Sequence, residues 1–396
     1  MLATAFAKTS VKSGTIDLIR ALYDTPSSSG KTVNVNTAIQ VAAVFACMRV
    51  LGEGVAQVPF KMMLENGNTR LPAKTHSLYE LLANQPNPWQ TSFEYREMLV
   101  WHAGLTGNHY SFINRSSRGE ILELIPFDPN AVTVKRDNRW KLTYEVRADD
   151  GSMQGFPAET IWHVKGPSWS GWLGLEAVKL AREAIGLAMA TEESTGSLHK
   201  NSVRPSGMYS VDGTLNKDQY KALSDWVYEQ FSGSKNAGKP MILDRAAKWS
   251  TTQMTGVDAQ SLETRKYQVE EICRFTRVNP IMVFAESKNT TYASAEQQFL
   301  SHVVHCLAPW YTRIEQSANM HLLTEKERAD GYYMNFVEEG LLRGSAVDTM
   351  NVLLGYVNGG LMTPNEGRSK LDANPIDGGD TLRVPENIVG AQGSAP

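Results

Sequence analysis

Apolar residues recur at helical spacing in the first well-patterned stretch of the chain. Ile39, Ala42, Ala43, Ala46, Val50 and Val55 fall at helical intervals, and the run ends ahead of Pro59. A second helix is predicted over about 93–106, with Phe93, Met98, Trp101 and Leu105 available for packing. The period then changes. Residues 110–114, 121–126, 131–134, 142–146 and 160–164 are short β-type runs between turn residues, so the first part reads as an α+β domain.

A long helix is predicted from about 175 to 201, opened by Gly174 and stopped before Pro205, with Val178, Ala181, Ile185 and Met189 as its apolar stripe. A compact insert follows: a strand at 208–211, a helix capped by Asn216 and running to about 231, and strands at 241–243 and 248–253. The next helix starts at about Asp258 and ends before Asn279-Pro280. After a short polar loop, another helix runs from about 294 to 323; Pro309 lies inside it, so a kink is expected near 305–309. A strand at 332–337 and two helices, 341–357 and one opening near Thr363-Pro364, complete the pattern. Residues 1–36 carry little periodicity, and the tail from Asn374 is rich in Gly, Pro and Asp.

Composition narrows the class. The 396 residues suffice for two or more core-bearing units, and 42% hydrophobic with 20% charged residues is ordinary for a soluble globular protein. No apolar run reaches the roughly 18 residues of a membrane span. The N-terminus lacks the basic start and apolar core of a signal peptide. Cys47, Cys273 and Cys306 are odd in number and far apart, so neither a disulfide framework nor a zinc pattern is expected, and a reducing cytoplasm fits. Net charge is −3, from 39 basic and 42 acidic residues. A protein that grips nucleic acid through phosphates carries a basic excess. If DNA is a partner here, tight affinity is not the design.

Few motifs suggest chemistry. Gly233-Ser234-Lys235-Asn236-Ala237-Gly238-Lys239-Pro240 nearly spells a phosphate-binding loop, which would make the chain a nucleotide hydrolase. Pro240 has no hydroxyl for a metal, and the segment follows a helix and leads to a strand, the reverse of the working order; a glycine-rich turn is favoured. His302, His305 and Cys306 share a helix at metal-compatible spacing, but no further ligand is identifiable, so no metal and no cofactor is expected. The adjacent pairs Glu192-Glu193 and Asp149-Asp150 point apart and read as solvated charges. No Ser/His/Asp arrangement is readable, so no catalytic residue is assigned.

Two features point to surfaces instead. Glu263, Arg265, Lys266, Glu270, Glu271, Arg274 and Arg277 alternate in sign, as on a solvated helix face or on a wall whose charges pair between identical neighbours. The loop between the two long helices carries Glu286, Ser287, Lys288, Asn289, Thr290, Thr291 and Tyr292. Lysine is a flexible point charge that can follow phosphates without fixing a register, so these residues are candidates to touch a passing polyanion.

The sequence resembles tailed-bacteriophage portal proteins of the HK97-like family from about Asn34 to Asp380. The resemblance rests on the order and spacing of several stretches, among them Arg204-Pro205-Ser206-Gly207, Leu262-Glu263-Thr264-Arg265-Lys266, Thr291-Tyr292-Ala293-Ser294-Ala295-Glu296-Gln297-Gln298, Leu307-Ala308-Pro309-Trp310-Tyr311 and Leu361-Met362-Thr363-Pro364-Asn365-Glu366. It implies a portal fold: an N-terminal arm (1–33), an α+β wing (34–172 and 294–339), a stem of long helices (173–203 and 258–278), a small α/β clip (204–257), a tunnel-loop region (279–293) and a crown with its tail (340–396). It implies a dodecameric ring at one capsid vertex of the virion, assembled in the host cytoplasm. That ring conducts double-stranded DNA without sequence preference during packaging and ejection. Its implied partners are the terminase large subunit, the major capsid protein or scaffold, and a head–tail connector, with no membrane. A different ring-forming connector or adaptor is the remaining alternative, disfavoured because adaptors are usually much smaller.

Overall fold

Asn34 opens the first helix, α1 (Val35–Ile39), by a reciprocal pair of hydrogen bonds with Thr37. This computed structural model describes residues 27–383 except 67–68, 149, 202–206, 211–215, 219, 223–224, 226–247, 252–256, 285–291, 338–345 and 371–372. The chain divides into two compact units, Met1–Phe336 and Val337–Pro396.

In the first unit, α2 (Ala42–Ala56) buries Val44, Cys47, Met48, Leu51 and Val55, the spacing of a helix set into a core. A Cβ at Gly54 would lie 2.9 Å from Leu307 Cδ2, so glycine is what lets the Leu307 side chain seat there. Tyr311 uses the same approach to donate its hydroxyl to Gly54 O at 2.9 Å. After Pro59 come β1 (Phe60–Asn66), β2 (Thr69–Pro72) and α3 (Ser77–Ala83), none of which the sequence pattern had marked. In β1 the alternation of Phe60, Met62 and Leu64 with Lys61 and Glu65 carried the strand signal. Helix α4 (Ser92–Leu105) is started by a Thr91–Glu94 capping box.

Six strands follow: β3 (Asn108–Arg115), β4 (Ile121–Phe127), β5 (Val132–Arg136), β6 (Leu142–Arg147), β7 (Met153–Pro157) and β8 (Ile161–Lys165). They form two antiparallel three-stranded sheets, ordered β4-β3-β8 and β5-β6-β7. Tyr110, Tyr144 and Ile161 fill the space between the sheets, with Phe112, Phe127, Val134 and Phe156 packed against them. The expected runs match five of these strands within about two residues; β7, with Gly155 and one apolar position inside the strand, escaped the pattern.

The long helix expected from 175 divides at Ala181 into α5 (Ala177–Leu180) and α6 (Arg182–Asn201). A strand pair, β9 (Gly207–Ser210) and β10 (Lys248–Thr251), is antiparallel. Helix α7 (Val257–Thr276) packs against both α2 and α6. Gln268 Nε2 donates to Thr191 Oγ1 at 2.8 Å across the α6–α7 contact. Helix α8 (Tyr292–His302), a π-helical turn (Val303–Leu307) and α9 (Ala308–His321) run on without a break in helical backbone. The change of register falls where Pro309 predicts a kink, because proline offers no N–H to the carbonyl four residues earlier. Helix α9 lies on β8 and on β11 (Tyr332–Phe336), reached through α10 (Glu325–Ala329); β11 pairs with β1.

The second unit holds α11 (Ala346–Asn358) and α12 (Pro364–Ser369), the latter capped by Thr363 with proline at its first position as expected. Asn365 ties the following turn to α12 by bonds to Ile376 O and Asp380 Oδ1 at 3.0 and 2.9 Å.

Candidate functional site

The candidate loop hangs from a braced foot. At the end of α7, Thr276 Oγ1 donates to the carbonyls of Ile272 and Cys273 at 2.9 and 3.1 Å, closing the last turn. Arg277 then takes a left-handed backbone, φ 61°. Asn279 caps a 3₁₀ turn, Pro280–Val283, which packs on α2. Phe284 ends that turn, again left-handed at φ 57°, with its side chain 96% exposed. Two non-glycine residues in this conformation cost on the order of 1 kcal/mol each, so the surrounding contacts over-determine the foot.

Of the candidate residues, Glu286, Ser287, Lys288, Asn289, Thr290 and Thr291 lie outside the described residues; Tyr292 is the first residue of α8. The near-phosphate loop 233–240, the strand at 241–243 and most of the helix 216–231 lie outside them too. What is described is the frame: α7 enters the foot, α8 leaves, and both the foot and α7 rest on α2.

The frame exposes what a folded monomer normally covers. Phe299, Leu300 and Val304 are 40%, 48% and 49% exposed on α8 and its π continuation. On α7 the exposed residues Glu263, Arg265, Lys266, Glu270 and Arg274 surround a half-exposed Tyr267. Arg274 pairs with Glu271 on its own helix. Glu193 of α6 is reached by Lys31, so one of the adjacent acidic residues has a partner.

The remaining candidate residues do not gather into a site among the described residues. His302 is buried with neither ring nitrogen hydrogen-bonded, His305 is exposed and Cys306 is buried; no metal-holding group of three ligands occurs among the described residues. A Ser–His contact that sequence inspection missed exists: His109 Nε2 lies 2.9 Å from Ser111 Oγ. Tyr95 Oη holds the same hydroxyl at 2.6 Å, and His102 Nδ1 lies 3.2 Å from His109 Nδ1. On the next strand, His163 bonds Asn108 Oδ1 at 3.0 Å and Tyr144 Oη at 3.2 Å. Ser111 and His109 have no exposed surface at all. Burial holds His109 well below the usual imidazole range and lowers His102 to about 4 and His163 to about 3. These are neutral rings in a sealed hydrogen-bonded network, with no room for a substrate at the serine.

Comparison with known proteins agrees with this frame. The family model described as phage portal protein matches residues 42–372. The chain is 26% identical over 352 residues to the portal protein of Enterobacteria phage HK97, covering 88% of this chain and 82% of that one. It is 28% identical over 383 residues to the probable portal protein of Streptomyces phage phiC31, covering 93% and 83%. Among solved structures, a chain in the virion of a native gene transfer agent particle superposes with a TM-score of 0.61 at 22% identity, over 86% of this chain and 92% of that one. These matches define a structural virion component with an α+β portal fold, not an enzyme. The chain belongs to the phage portal protein family.

Proposed function

We propose that twelve copies of this chain form a ring at one capsid vertex, with residues 285–293 turned toward a central opening through which double-stranded DNA passes. The supporting observation is the frame: a strained, braced foot between α7 and α8 beside apolar α8 positions left uncovered by the monomer. A chain in the neck of a gene transfer agent particle, computed with C12 symmetry, shares this fold with a TM-score of 0.58 at 22% identity. A ring follows when one patch of each copy docks on a different patch of the next and the rotation closes. A permanent ring needs interfaces on the order of 2,000 Å² or more. Phe299, Leu300 and Val304 and the mixed charges of α7 supply such surface.

In this proposal the two sheets, α4, α8–α9 and β11 form the wing, α6 and α7 the stem, the β9–β10 region the clip, and the second unit the crown. A net charge of −3 per copy supplies no basic excess for tight phosphate binding. Lys288 and the hydroxyls of Ser287, Thr290, Thr291 and Tyr292 give weak, salt-sensitive contacts to a moving duplex, beside Glu286 and Asn289. The energy of packaging comes from a terminase large subunit docking at the clip, while the capsid or scaffold protein and a head–tail connector meet other faces. DNA packaging and retention by particles carrying Lys288→Ala test the loop: both fall if it touches DNA, and unchanged values remove the assignment.

A further inference from the structure

The three cysteines, scattered in sequence, converge in the core. Cys47 on α2 and Cys273 on α7 are 226 residues apart, yet their Sγ atoms are 3.7 Å from each other. Both are free thiols, 0% and 2% exposed. Cys306, on the π-helical turn, is buried close enough to feel the charge of Cys47 and of Arg277. A cavity of about 310 Å³ opens beside them, walled by Met48, Phe275, Thr276, Arg277, Cys306 and Trp310 among others. Cys306 lines this cavity, whereas Cys47 and Cys273 lie behind its wall, one and three residues from the lining Met48 and Thr276.

We propose that Cys47 and Cys273 are an oxidation site at which hydrogen peroxide converts the thiol pair to a disulfide that ties α2 to α7. The Cys47 thiolate attacks one peroxide oxygen, breaking the O–O bond to give a sulfenic acid and hydroxide. Cys273 sulfur then displaces the sulfenic oxygen and loses its proton, forming the S–S bond. The two thiols are oxidised, the peroxide is reduced, and two water molecules are released. The assignment of roles follows the hydrogen bond between the two. The thiol of Cys273 supports a charge on Cys47, whose pKa is lowered, and is itself raised by that same contact and by burial. Cys306, raised to about 12 by burial, is the poorer nucleophile even though it lines the cavity.

The consequence is mechanical. The link closes a loop of more than 200 residues and fastens the helix that supports the candidate loop's foot to the helix that enters it. While reduced, the two helices are joined at this point by non-covalent contacts, the thiol–thiol hydrogen bond among them; once oxidised, they are covalently tied. The inference does not depend on the ring: it concerns a contact inside one copy.

The test treats the purified full-length chain, native and folded, with hydrogen peroxide, then blocks remaining thiols and maps linked peptides by mass spectrometry. The expected product has lost two hydrogen atoms and carries a Cys47–Cys273 peptide, with Cys306 alone alkylated after unfolding. Its thermal midpoint moves up by several degrees and returns on reduction. Cys306→Ser leaves both results unchanged, and Cys273→Ser abolishes the link and the shift while leaving the unoxidised chain folded by circular dichroism. A Cys47–Cys306 link, stepwise oxygen addition to Cys47 without a link, or three unreacted thiols would each overturn the proposal. Should Cys273→Ser fold poorly, Cys273→Ala replaces it, since a small apolar side chain suits that buried position.

Discussion

The two-sheet core around β3 and β8 and the helical frame around α7 and α8 treat their surfaces in opposite ways. In the sheets, Tyr110, Tyr144, Ile161 and Trp162 are sealed, and buried polar atoms are used: Trp162 Nε1 donates to Ser317 Oγ at 3.1 Å, and Ser317 passes a bond to His163 O at 3.1 Å. Along α8, Phe299, Leu300 and Val304 stay in solvent, and in the second unit Met350, Val352, Leu354 and Tyr356 of α11 are all exposed. One region is finished as a single copy. The other leaves apolar side chains uncovered, as the proposed ring requires. Stability and assembly should therefore be separable by mutation.

The largest effects belong to the sheet region. Trp162→Ala removes a fully buried ring and the Ser317 bond, and should cost about 3–5 kcal/mol, read as a lowered denaturant midpoint. An assembly defect without loss of stability in this variant would break the contrast. Next comes Arg96, buried on α4, whose guanidinium donates to Ala56 O at 2.6 Å and contacts Ser92 Oγ and Leu82 O. Burial alone pulls it down to about 10. Arg96→Ala takes the donor from Ala56 O, while Leu82 O keeps Ser92 Oγ, and should cost about 2–3 kcal/mol in chemical denaturation.

Acid sharpens the comparison. His102 and His163 have folded pKa values of about 4 and 3, with burial the main cause in each, against about 6.5 unfolded. Their neutral forms are favoured by the fold, so their contribution is whole above about pH 6.5. As pH falls below that value the unfolded chain takes up protons that the folded chain refuses, and stability declines until the folded pKa values are passed. Asp128 opposes the shift at His102 and Lys165 reinforces it at His163. Unfolding followed from pH 7 to pH 4 should show a steadily falling midpoint. A flat profile would show the buried rings to be solvated.

Leu300→Glu and Val304→Glu should leave the unfolding free energy within about 0.5 kcal/mol of the parent while weakening association in sedimentation, because these side chains are about half exposed in one copy. The smallest effect is that of Lys288→Ala, expected to lower DNA retention modestly and without change in folding, since one flexible charge among many weak contacts is removed.

Much of this was legible in the sequence where period and punctuation agreed. The apolar positions Phe93, Met98, Trp101 and Leu105 placed α4 within a residue, Thr363-Pro364 placed α12, and Pro309 marked the register change at 303–307. The division at Ala181 was not legible, because Val178, Ala181 and Ile185 keep one stripe across the break. Strand β2 has four residues, too few to show a period. The meeting of Cys47, Cys273 and Cys306 depends on how α2, α7 and the π turn pack, and spacing along the chain says nothing of that. The buried Ser111–His109 contact was hidden because alternate residues of a strand face the same side only once the strand is known. The charged loop was picked out by its place between helices, and its foot, with Arg277 and Phe284 left-handed, carries no glycine to announce it.

Electron microscopy of the purified full-length chain, at concentrations where particles are populated, addresses the central claim directly. Closed rings with an axial opening and residues 285–293 at its rim are the predicted result. Monomers alone, assemblies without an opening, or rings that carry those residues on the outer edge would contradict it.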